Sequence, residues 1–261
     1  MSLGLGFSMG TQGVAGYSNQ YRMLLGSDTL NERFNLGDAL DGITSGASKS
    51  FTWSVWVQKQ LNGTAQAVIG KWVSATNQKS YLFRFEADNT FKIFMSSNGS
   101  GTSTYVTTDT YIDLNNDIHI LIDFDADASL DNKFTLYINN SAVALTRAGT
   151  ETQIFNGSAQ LEFGAINEGV SSFLNAFIDE FSIWGVKFNA SERTEIYNSG
   201  VPSDLTKHSQ WANNKGWWRM GENANFNSTT ANEWHVPDVG NNTTPSHANS
   251  DNMEEADINP F

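Results

Sequence analysis

The feature that most limits what this chain can become is a run of short segments that alternate between large apolar and polar residues. SFTWSVWVQ places Phe51, Trp53, Val55 and Val57 on one side and Trp56 on the other, the period of a strand with one face against a core. AQAVIGKWV, YLFRFEA, TFKIFMSS, DIHILIDFD, KFTLYINN and AQLEFGAI follow, separated by clusters of Asn, Gly, Ser and Asp. Such spacing reads as antiparallel strands joined by tight connections. In EADNTF, Glu86 to Phe91, Asp88 and Asn89 tolerate positive φ, so that stretch reads as a hairpin. One helix signal stands out: Asn189 as N-cap, Glu192 reaching back, Ile196 and Tyr197 packing inward, and Gly200 with Pro202 as the stop. The expectation is an all-β, two-sheet antiparallel sandwich with one short helix.

Composition supports this and narrows the function. Seventeen Phe, eight Trp and seven Tyr in 261 residues supply a large core, and 22 Gly suit many turns. No apolar run is long enough to span a membrane, and MSLGLGFSMGTQGVAG lacks the basic start of a signal peptide. Without cysteine there is no disulfide, thiol chemistry or Cys-ligated metal. The Asn-x-Ser/Thr matches, such as Asn62-Gly63-Thr64, are what chance gives in so Asn- and Thr-rich a chain. A net charge of −13 argues against nucleic acid as a partner. Residues 222–261 hold seven acidic side chains and no Lys or Arg. Three zones result: a Gly-rich arm over 1–18, a β-rich domain over 19–221, and an acidic, polar C-terminal arm over 222–261 that reads as extended or disordered.

The stretch FLNAFIDEFSIWGVKFNASERTEIYNSG, Phe173 to Gly200, poses a local problem. At period two, Phe177, Asp179, Phe181 and Ile183 share one face, and Ile178, Glu180, Ser182 and Trp184 the other. Asp179 then sits in a row of large apolar side chains, where an unpartnered carboxylate is costly. A metal, a donor side chain or loop N–H groups would satisfy it.

These strand blocks, in this order, resemble a LamG-like jelly-roll domain of the concanavalin A-like lectin/glucanase superfamily. The closing block with Ile178-Asp179-Glu180, Ile183-Trp184 and the capped helix ending at Tyr197 carries most of the likeness. It covers roughly residues 20–200 and implies two face-to-face antiparallel sheets, one concave. The first hairpin departs: LLGSDTLNERFNLGD keeps Leu36-Gly37, but its acidic and Gly positions are displaced. KGWWRMGENAN, VPDVGNN and NMEEADINPF are similar to C-terminal segments of structural proteins in tailed-phage virions.

What the resemblance implies is a structural calcium where the first hairpin meets the last long strand, with Asp28 and Asp179 as candidate ligands. The alternative, favoured because that hairpin is rewritten, is a clasp in which Asp179 accepts hydrogen bonds from the N-terminal segment, and no cofactor is expected. DFDADASLDN, Asp123 to Asn132, has Ala128 and Phe134 where a calcium loop needs Gly and Glu, and reads as a solvated hairpin tip. Glycosidases of the superfamily carry two Glu as Glu-x-Asp-x-x-Glu. That spacing is missing, and adjacent Asp179 and Glu180 would point to opposite faces, so no enzyme is expected. His119, in an apolar strand, reads as a packed neutral imidazole. Trp56, Trp184, Trp217 and Trp218 are the candidate glycan or subunit contacts, Trp217 and Trp218 facing opposite ways. The leading expectation is a phage virion structural protein (capsid decoration, fibre or appendage module), homo-oligomeric and bound to other virion proteins, assembled in the host cytoplasm. The alternative is a lectin module binding host-surface glycans.

Overall fold

The computed structural model describes residues 17–26, 31–110, 114–229 and 233–260. Residues 1–16 of the Gly-rich arm expected over 1–18, and the candidate ligand Asp28, lie outside them. Among the described residues two antiparallel sheets form. One has eight strands: Ser141–Val143, Phe134–Ile138, Ile118–Phe124, Phe51–Lys59, Ala176–Trp184, Tyr21–Leu25 and Ile258–Pro260 in that spatial order, with Asn214–Trp218 also paired to Ala176–Trp184. The other has ten: Leu145–Ala148, Ser103–Thr107, Phe91–Gly99, Gln78–Phe85, Gln66–Val73, Leu161–Phe163, Arg33–Asn35, Ala248–Asp251, Glu233–Val236 and Asn225–Asn227. The fold is the expected sandwich.

Aromatic rings close the two layers. Phe163 of the ten-stranded sheet stacks on Phe181 of the eight-stranded sheet with centroids 4.0 Å apart. Phe83 meets Phe134 edge-on at 6.1 Å. Each such contact adds about 0.5–1.5 kcal/mol beyond the area it buries. Phe51, Trp53, Val55 and Val57 all enter this core, as their alternation requires. A second apolar cluster lies on the outer side of the eight-stranded sheet, where Trp184, Phe188, Ile196, Leu205 and Trp217 pack under the helix Ala190–Tyr197. Asn189 caps that helix, and Glu192 completes the reciprocal hydrogen bond.

Local turn chemistry appears where the sequence placed it. Asn89 has φ of 66° between two paired strands, and the Glu86 amide donates to the Thr90 carbonyl at 2.8 Å. His119 is buried with Nε2 2.7 Å from Ser54 Oγ, and burial pushes its pKa down to about 3, so it stays neutral. The tip of Asp123–Asn132 carries a Lys187–Asp125 ion pair at 3.0 Å, but Asp123 itself is fully buried and accepts from Thr52 Oγ1 at 2.5 Å.

Two expectations need correction. Residues 21–25 and 33–35 do not form a hairpin; they lie in different sheets, and the connection crosses the sandwich. Residues 222–229 and 233–260 are not a detached arm either. Ser250 pairs with Phe34, Asn249 with Asn35, and Met23 with Ile258, so this segment completes both sheets. Its polarity misled because few apolar residues suffice when each is buried: Trp234, Val236, Ala248 and Met253 enter the main core. Its acids are used internally, Asp238 accepting from the Trp217 and Gly240 amides at 2.9 Å each.

Removing residues 222–261 should therefore abolish cooperative folding. Losing Trp234, Val236 and Met253 alone forfeits about 1.5–3 kcal/mol per buried side chain, from a total of about 5–15 kcal/mol for a typical domain. Circular dichroism during a thermal scan of the truncated chain should give no sharp transition, whereas a retained transition near that of the full chain contradicts the integration of this segment into the two sheets.

Candidate functional site

The site begins with a broken period. Ala176 and Ile178 point into the core, and so do Phe181 and Ile183. The change of phase is a β-bulge: the pairing of Ala176–Trp184 with Phe51–Lys59 shifts between Asp179 and Ser182, and Glu180 has φ of 50°. One inserted residue reverses which side chains face outward. Asp179 thus does not sit in an apolar row, because Phe181 and Ile183 turn the other way. Nor do Asp179 and Glu180 point to opposite faces. Oxygens of Asp179, Glu180 and Glu222 lie within 4.8 Å of one another.

Asp179 and Glu180 are 2% and 4% exposed, so their charges must be met inside the protein. Tyr17 Oη donates to Glu180 Oε1 at 2.8 Å, Arg219 Nε donates to the same oxygen at 3.2 Å, and Trp217 Nε1 donates to Oε2. Asn19 Nδ2 donates to Asp179 Oδ2 at 2.7 Å, while Oδ1 takes the Glu180 amide at 2.9 Å. Glu222 accepts from the Gln20 and Tyr21 amides, and Arg219 donates to the Ser18 carbonyl. The N-terminal segment is thereby fastened to the bulged strand and to residues 217–222. Gly221 lets this happen, since a Cβ there would collide with the Tyr21 backbone.

Burial, then repulsion from Glu180, raises the Asp179 carboxyl well above the usual range. Burial pushes Glu180 up to about 7, opposed chiefly by Arg219. Burial likewise raises the Tyr17 phenol.

Beside Asp179, on the outer face of the eight-stranded sheet, lies a cavity of about 130 Å³. Strand register builds it: Leu24 sits opposite Phe177, and Asp179 opposite Trp56. Arg22 stands over the Phe177 ring at 4.0 Å and binds Asp117 Oδ1 at 3.0 Å. Gly200, Val201 and Pro202, from the turn after the helix, form the remaining wall. The site thus presents an aromatic ring, an acid–arginine pair and a small apolar wall within one recess.

Of the four tryptophans singled out in the sequence, Trp56 alone lines this cavity, 6% exposed and with one face stacked on Tyr197 at 6.1 Å. Trp184, Trp217 and Trp218 are 0%, 4% and 0% exposed and cannot serve as surface platforms. Trp217 and Trp218 do face opposite ways, but this chain covers both, in the second cluster and the main core respectively. Arg22, Asp117, Phe177, Glu180, Arg219 and Glu222 were not among the candidate site residues expected from the sequence. The signal for the bulge was present, because Ile178 and Phe181 are both large and apolar but three positions apart.

Comparison with known proteins bears on the fold. The family model of the concanavalin A-like lectin/glucanases superfamily matches residues 33–192. No curated protein matches in sequence. Among solved structures, a protein of Bacteroides ovatus ATCC 8483 assigned as carbohydrate binding is similar at a TM-score of 0.60 and 10% identity, covering 94% of this chain and 61% of that one. The receptor binding domain of a botulinum neurotoxin C/D mosaic serotype is similar at 0.50 and 13% identity, covering 88% and 55%. This chain therefore spans about three fifths or less of those structures. At such identities the likeness concerns the fold alone.

Raised carboxylate pKa values set the sign of a pH dependence. Glu180 in the unfolded chain ionises near pH 4.3, and in the folded chain near pH 7. Its contribution to stability is present below the unfolded value and lost as pH rises through about 7. Asp123, pushed up to about 6 by burial, acts in the same direction at lower pH. His119 opposes them, losing stability as pH falls below about 6.5. Between about pH 6 and pH 8 the melting temperature should fall as pH rises, and Glu180→Gln should flatten that slope; a slope unchanged in the variant contradicts the assignment.

Proposed function

This chain belongs to the concanavalin A-like lectin/glucanase superfamily, and from that premise we propose that it is a non-catalytic carbohydrate-binding module whose site is the cavity at Phe177, Trp56 and Asp117. The observation carrying this reading is the pairing, in one recess, of an aromatic side chain with the Arg22–Asp117 pair. A sugar ring presents apolar C–H faces and a rim of hydroxyls, and it needs both kinds of contact. Carbohydrate binding assigned to the Bacteroides relative of the same fold is consistent with it.

Hydrolysis asks for two carboxyl groups flanking the scissile bond. Here Asp117 is held by Arg22, Asp179 by Asn19 and the bulge amide, and Glu180 is closed off by Tyr17, Trp217 and Arg219. Calcium would need six to eight oxygens, yet both Glu180 oxygens are already taken by donors, with the Arg219 guanidinium supplying the positive charge. The clasp is the better use of Asp179. The virion expectation rested on the likeness of KGWWRMGENAN, VPDVGNN and NMEEADINPF to phage structural proteins, and these segments contribute strands to this chain's own sheets. A homo-oligomer would still serve a lectin, because several weak sites act together through avidity.

A glycan array probed with the full chain should retain at least one class of glycan, and Asp117→Ala should lower that signal about tenfold, as expected for hydrogen bonds to a charged group. The absence of any retained glycan at millimolar sugar contradicts the proposal. For the clasp, adding calcium or a chelator should leave the melting temperature unmoved; a rise of several degrees with calcium would restore the metal reading.

A further inference from the structure

The cavity also carries information about which part of a glycan it takes, an inference that rests on the binding reading above. Three observations converge. The first is size: about 130 Å³ is well under the roughly 300–1,000 Å³ of pockets that enclose drug-sized ligands. A recess of that size is suited to no more than one ring.

The second is the polar pair. Arg22 and Asp117 lie 3.0 Å apart, and the Asp117 side chain is 43% exposed. A carboxylate accepts from a hydroxyl, and an adjoining guanidinium donates to the neighbouring one, so the pair complements two adjacent hydroxyls on one ring. A glycosidic bond at either position would remove a donor or crowd the pair.

The third is the wall. After the helix, Asn198, Ser199 and Gly200 take φ of 45°, 59° and 93°, three consecutive residues in the left-handed region. Asn198 and Gly200 are residue types that accept it; Ser199 does so at a cost in strain. The turn brings Gly200, Val201 and Pro202 into the cavity lining, and Val201 remains 56% exposed although apolar. This exposed lip borders the recess.

We infer that the cavity takes one terminal sugar ring bearing two adjacent free hydroxyls, and that the Val201–Pro202 lip makes the protein a reader of glycan ends rather than of chain interiors. The hydroxyls bind the Arg22–Asp117 pair, and the apolar face of the ring lies against Phe177, Val201 and Pro202.

The test uses a glycan array carrying each terminal hexose both uncapped and capped by a further sugar. The full chain should retain uncapped members about tenfold more strongly than their capped partners, a difference of one or two hydrogen bonds to charged groups. The methyl glycoside of the retained terminal sugar should compete. Asp117→Asn should remove that preference, and Val201→Gly, a change at an exposed position, should raise capped signals several-fold relative to uncapped ones. Equal retention of capped and uncapped glycans overturns this inference and leaves the binding reading standing, whereas no retention anywhere overturns both. An Asp117→Asn protein that keeps its discrimination removes the polar pair from the account. A Val201→Gly protein that gains nothing for capped glycans removes the lip.

Discussion

Two neighbouring carboxylates buried on a bulged strand set the terms for the rest of this molecule. Asp179 and Glu180 are almost wholly buried, so donors must come to them, and those donors arrive from distant parts of the chain. Tyr17 and Asn19 come from the N-terminal segment, Trp217 and Arg219 from beyond the helix. Each of these groups gains a partner only in the assembled fold. Satisfying one costly pair therefore ties the N-terminal segment and residues 217–219, which lie along the same edge of the bulged strand, to that strand.

The same bulge positions the cavity. Before it, Phe177 and Asp179 face outward; after it, Phe181 and Ile183 face the core. An unbroken strand would have kept all four on one side. It could not have offered an aromatic ring to solvent at one end while stacking another on Phe163 at the other. Bulges commonly re-aim side chains beside functional sites, and here the re-aimed residues line a recess walled by the turn after the helix. Rigid strands hold Arg22, Phe177 and Trp56, while the one wall under backbone strain is the turn that limits what enters.

Much of this was legible in the residues. Strict alternation in SFTWSVWVQ requires a half-buried strand, and Phe51, Trp53, Val55 and Val57 are core residues. Asn189 and Glu192 cap the helix as their spacing implies. The suspicion that Asp179 serves the N-terminal segment is met by Asn19. Less was visible where a strand changes phase, because period-two reasoning assumes that every residue advances the pattern. Composition likewise misjudged residues 222–260: an Asn-rich, acidic segment resembles a solvated tail until Trp234 and Val236 find a core and Asp238 finds backbone amides.

The amino-acid sequence by itself determined that this chain is a two-layer β-protein, because alternation, turn residues and helix caps are local properties that act over a few positions. It also limited the chemistry, since a chain without cysteine and with an excess of negative charge has few options. Only the tertiary structure decided that Asp179 and Glu180 share one buried cluster, that residues 222–260 complete both sheets, and that Arg22, Asp117 and Phe177 meet in one recess. Those contacts join residues far apart in the chain. Their energies depend on burial and on partners that no local pattern encodes.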